Sequence, residues 1–145
     1  MDRSLPLFTS LLNPPALVRH MIGTLVLGAA AIILPWMGAT PALAPPGDGY
    51  TDKILHVACF TGLGLFGFWA YRGRGARGLL LLALLVLGVG IELIQSLVPE
   101  RQASVGDVAA DAAGLALAII LLRQWPLARD MLFPDEAWKA GRRGD

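Results

Sequence analysis

The stretch GLLLLALLVLGVGIELIQSLV, Gly78–Val98, decides the fold. It is long and apolar enough to cross a bilayer, which takes about 20 such residues. Yet it closes on Glu92 and Gln95. The following PERQASVGDVAAD, Pro99–Asp111, adds Arg101, Asp107 and Asp111 before the chain is apolar again. A single charge at mid-bilayer costs on the order of 3 kcal/mol by insertion scales. A sequence that keeps several must pair them, neutralise them or wet them.

Working outward, three more runs qualify or nearly qualify: Leu17–Met37, Ile54–Tyr71 and Val108–Trp125. The segments between them, GATPALAPPGDG, RGRGAR and PERQASVG, are rich in chain breakers. Composition agrees. The 145 residues are 55% hydrophobic and only 16% charged, with mean hydropathy +0.60, whereas a soluble domain has about 25% charged residues. The expected fold is all-α: an integral membrane protein built as a four-helix transmembrane bundle. Residues 1–16 form an N-terminal segment, 17–125 the membrane domain and 126–145 a polar tail. Ala42-Leu43-Ala44 offers a signal-peptidase pattern, but Pro45 and Pro46 follow it and the apolar run is long for a leader, so the first run is read as a retained span.

Lysine and arginine placement sets the orientation. Arg3 and Arg19 precede or open the first span, Arg72, Arg74 and Arg77 fill the second loop, and Arg123, Arg129, Lys139, Arg142 and Arg143 follow the fourth. The other two loops hold only Lys53 and Arg101. Both termini are therefore expected in the cytoplasm (N-in/C-in), and the protein in the bacterial inner membrane as a multi-pass chain. A net charge of +1 gives no basis for a nucleic-acid partner. No zinc spacing, P-loop or dinucleotide fingerprint is present, so no cofactor and no dedicated metal site are expected. The single cysteine, Cys59, cannot form an internal disulfide.

The polar residues fall at one depth. His56 lies just inside the second span, Glu92 and Gln95 near the end of the third, and Asp111 near the start of the fourth, with Asp52, Lys53, Arg101 and Asp107 beside them. Residues three or four apart share a helix face. Gly88, Glu92 and Gln95 make one stripe, Asp107, Asp111, Gly114 and Ala118 a second, and His56, Phe60, Gly64 and Gly67 a third. In each, polar positions continue into small or packing ones, and small residues let helices approach closely in lipid. The polar groups should thus point inward, into an outward-facing site built by spans two, three and four. Locally, Ser104 fits a helix N-cap with Asp107 at the third helical position.

The motifs DKILH (52–56), IELIQ (91–95) and R-x-x-S-x-x-D-x-x-x-D-x-x-G (101–114) resemble the VanZ-like family over residues 52–123. The resemblance implies a small multi-helix membrane protein of the cell envelope, in a family whose founding member is associated with teicoplanin resistance. Asp111 departs from the pattern, which usually has asparagine there.

Several roles compete for these residues. The favoured one is a binding site for a membrane lipid, a lipid-linked envelope precursor or a glycopeptide, with Arg101, Asp107, Gln95, Asp111, Asp52, Lys53 and Ser104 as ligand-binding residues; arginine offers a planar fork of donors for phosphate or carboxylate. An enzyme would use Glu92 and His56 as a catalytic acid–base pair on such a substrate. A metal variant would place Glu92, Asp107 and Asp111 around a hard cation, with His56 adding a nitrogen. A structural or partner-binding subunit would spend the same groups on glue, pairing Lys53 with Asp52 or Glu100 and Arg101 with Asp107. A carrier would require an oligomer, and oligomerisation is left open.

Overall fold

A computed structural model describes residues 14–43, 49–99, 101 and 103–124. Among them the secondary structure is helical throughout: α1 (Ala16–Gly38), a short 3-10 turn (Pro41–Leu43), α2 (Tyr50–Ala70), α3 (Arg74–Gln95) and α4 (Val105–Gln124). All four long helices have the length and apolarity to cross a membrane. The chain is a multi-pass, all-α membrane protein.

The cores of the expected spans hold, but their edges shift. α2 begins four residues before Ile54, because Gly49 takes φ +80° immediately ahead of Tyr50 and lets the chain turn into the helix there. α3 runs from Arg74 and stops at Gln95 rather than Val98, and α4 begins at Val105 rather than Val108. These shifts place Asp52, Lys53 and Asp107 on helices. They also change depth. At about 1.5 Å rise per residue, Glu92 sits roughly 4.5 Å from the end of its helix, while His56 and Asp111 lie roughly 9 Å inside theirs. Glu92 is shallower than the sequence suggests. Trp125 and the tail lie outside the described residues.

The three stripes face inward. Gly88, Glu92 and Gln95 of α3 are buried, as are Asp107, Asp111, Gly114 and Ala118 of α4 and Phe60, Gly64 and Gly67 of α2. The outward faces carry Leu25, Ile32, Leu79, Val86 and Leu93, all exposed, as positions touching lipid tails would be. α2 and α4 form the most extensive helix pair. Gly114 makes it so: a methyl there would meet the Val57 carbonyl oxygen at 2.5 Å. The Thr61 hydroxyl lies across this seam, 2.7 Å from the Val57 carbonyl and 3.0 Å from that of Gly114. Phe60, Phe68, Leu80, Leu84, Ile91 and Leu115 form the apolar core. α1 packs on α2 and α3.

Candidate functional site

The start of α2, the end of α3 and the start of α4 meet at one end of the bundle, and their polar side chains bond one another. His56 is central. Its Nδ1 lies 2.8 Å from Asp111 Oδ1; with Asp111 a carboxylate, the ring donates this bond. That fixes the imidazole and turns Nε2 toward Glu92, whose Oε1 is 4.0 Å away. The sequence pairs His56 with Glu92; the direct partner is Asp111, and 4.0 Å is too long for a hydrogen bond. Asp111 is fully buried. Its Oδ2 has no hydrogen-bond partner among the described residues and lies against Gly88, where any methyl would collide with it.

Glu92 holds the loop before α4. Its Oε2 accepts from the Ser104 backbone N–H at 2.6 Å. Ser104 in turn caps α4: its Oγ accepts from the Gly106 N–H at 3.1 Å. In an ordinary capping box the acid that reaches back to the cap N–H sits three residues along the same helix. Here Asp107 holds that position, but its carboxylate accepts from Lys53 Nζ at 3.1 Å instead, and Glu92 substitutes from another helix. Glu92 thus has a structural task on one oxygen and faces His56 with the other.

Gln95 extends the network. With its amide oriented by its neighbours, the nitrogen donates to Glu92 Oε1 at 3.3 Å and the oxygen accepts from Arg101 Nη2 at 2.7 Å. The expected glue pairs are therefore rearranged: Lys53 binds Asp107 rather than Asp52, and Arg101 binds an amide rather than Asp107. The alternative partner Glu100 lies outside the described residues. Among those residues no carboxylate lies within 4.0 Å of a nitrogen of Arg101.

These groups border a cavity of about 140 Å³. Asp52, His56, Gln95 and Arg101 supply its polar wall. Leu34, Met37 and Gly38 of α1, Leu43 of the 3-10 turn and Leu55, Cys59, Phe60 and Ile91 supply the apolar remainder. The sequence reading assigns the site to spans two to four; the first span closes it as well. No polar residue in that part of α1 marks the role, so it could not be read from the chain. A second, apolar groove of about 440 Å³ runs along the outer face of the α2–α4 seam, past Ile54, Val57, Ala58 and Leu117, with Lys53 at its rim.

Metal-ligating geometry falls on a different set from the one the metal variant names. Donor atoms of Asp52, His56 and Asp107 lie within 4.8 Å of one another. Asp111 is tied to His56, and Glu92 to Ser104. The Lys53 ammonium already occupies the Asp107 side of this group.

A family model described as VanZ/LLP1 matches residues 9–129. An uncharacterized protein of Schizosaccharomyces pombe is 31% identical over 93 residues, covering 62% of this chain and 56% of the yeast protein. The chain therefore spans about half the length of that relative. No solved structure matches.

Proposed function

The chain belongs to the VanZ/LLP1 family, and from that premise we propose that its polar cavity binds the charged headgroup of a cell-envelope lipid or lipid-linked precursor. The protein would sit in the bacterial inner membrane with both termini inside, since Arg19, Arg72, Arg74, Arg77 and Arg123 gather at the end of the bundle opposite the cavity. The observation that carries this reading is Arg101. It lines the cavity, and its resident partner there is the neutral oxygen of Gln95. A guanidinium so placed has donors to spare for a phosphate or carboxylate. The apolar walls beside it suit the first carbons of a tail.

Size separates the candidate ligands. Pockets for drug-sized molecules run about 300–1,000 Å³, and this cavity holds about 140 Å³. A headgroup fits that volume and a glycopeptide does not. Any contribution to teicoplanin resistance would then act through an envelope lipid or precursor. The test is mass spectrometry of gently purified protein. Wild type should retain a phosphate-bearing lipid, and Arg101→Gln should lose it while keeping normal abundance and unfolding temperature. Equal retention by both proteins rejects the reading.

A second reading, acid–base catalysis, has its own observation. Asp111 orients His56 so that Nε2 and Glu92 Oε1, 4.0 Å apart, flank one spot. A water placed to one side of that line reaches both at hydrogen-bonding distance and can donate to each, giving a base and a second acceptor for one reacting group. Turnover of an added lipid-linked precursor, abolished by His56→Ala and by Glu92→Gln, would support it. Lipid retention without turnover would leave binding alone.

A further inference from the structure

The cavity carries both signs of charge. Asp52 and Arg101 line it together, yet they form no ion pair with each other, and among the described residues neither has an oppositely charged partner within 4.0 Å. Resting on the headgroup reading above, we infer that the ligand is zwitterionic: its phosphate or carboxylate sits on Arg101 and its ammonium sits on Asp52.

Charge complementarity decides between ligand classes. A purely anionic headgroup gains at Arg101 but meets Asp52 in the same small space, with Glu92 and Asp107 buried behind it. A purely cationic one gains at Asp52 and meets Arg101. A dipolar ion gains at both ends. The Asp52 side is also built as an ammonium seat. Oxygens of Asp52 and Asp107 and a nitrogen of His56 lie within 4.8 Å of one another. One ammonium already docks there, that of Lys53, 3.1 Å from Asp107 Oδ1. Asp52 is the acceptor left for a second. Lys53 repels any second cation at this seat, and a divalent ion twice as strongly as a singly charged ammonium.

The same chemistry occurs in a free amino acid, in a soluble phosphoethanolamine and in a phosphoethanolamine lipid. The apolar wall from Leu34, Met37, Leu43 and Leu55 favours the lipid. In this form Arg101 supplies affinity and Asp52 supplies selectivity.

The experiment titrates purified full-length protein in detergent with three probes, read by native mass spectrometry. They are a short-chain phosphatidylethanolamine, a phosphatidylglycerol of the same chain length, and soluble glycerophosphoethanolamine. Wild type should bind phosphatidylethanolamine about tenfold more tightly than phosphatidylglycerol, a difference of about 1.4 kcal/mol, and more tightly than the soluble headgroup. Asp52→Asn should erase the preference between the two lipids, and Asp52→Glu should restore it. Equal or tighter binding of phosphatidylglycerol by wild type overturns the inference while the headgroup reading stands. An unchanged preference in Asp52→Asn overturns it too, as does a preference that a chelator removes and magnesium restores. Tighter binding of the soluble headgroup removes the lipid as its source. No binding of any probe overturns both readings.

Discussion

At the arginine end of the bundle, Arg19 reaches the Ala70 and Pro14 carbonyl oxygens, each at 3.4 Å, and Arg77 donates to the Tyr71 carbonyl at 3.2 Å while lying over the Phe68 ring. Tyr71 hydrogen-bonds Thr24 at 2.9 Å and stacks on His20. At the opposite end, Lys53, His56, Glu92, Gln95, Arg101, Asp107 and Asp111 bond mostly to one another, and the group borders a void. The first arrangement ties helix ends together and needs no ligand to explain it. The second keeps acids, a base and two cations in a shared space, which helix tethering alone does not require. Buried polar networks of that kind are costly wherever one member lacks a partner.

Five substitutions probe this contrast. The largest effect is expected at His56. His56→Ala leaves the fully buried Asp111 carboxylate uncompensated, and removing one member of a buried charged pair costs about 3–5 kcal/mol. Asp111→Asn, which installs the residue usual at this position in the VanZ pattern, keeps a polar partner for the ring beside Gly88 and should cost under about 1 kcal/mol, the worth of one ordinary hydrogen bond. Unfolding in detergent measures both, and equal losses would count against the pairing. Next comes Arg101→Gln, with lipid affinity down at least about tenfold, or 1.4 kcal/mol, and stability unchanged. Arg77→Ala should do the reverse, losing about 1 kcal/mol of stability for its backbone bond with lipid binding intact. If Arg77 and Arg101 behave alike, the division between the two ends fails. Smallest is Tyr71→Phe, which removes one exposed hydrogen bond and should cost about 0.5 kcal/mol with no change in ligand affinity.

Much of this was legible in the chain because membrane helices leave few choices. A run such as Gly78–Val98 is long and apolar enough to be a span, and the spacing of Gly88, Glu92 and Gln95 puts them on one face. The small residues beside each polar position then say which face is packed. Partner choice was not legible. Glu92 and Asp111 are both acids at the same end of the bundle, and only the close approach of α4 to Gly88 decides that Asp111 takes the His56 Nδ1. Lys53 could reach several acids; the early start of α2 brings it over Gly106 and onto Asp107. The role of α1 had no signal at all, since Leu34 and Met37 look the same lining a cavity as facing lipid.

The most direct test uses the chain's only cysteine. Cys59 lines the cavity as a free thiol, so wild-type protein carries its own reporter. The measurement is the rate at which a small methanethiosulfonate modifies Cys59 with and without saturating phospholipid. A headgroup in the cavity should slow the reaction about tenfold, as expected for a site mostly occupied, and Arg101→Gln should abolish that protection. The same rate with and without lipid in wild type would contradict the account.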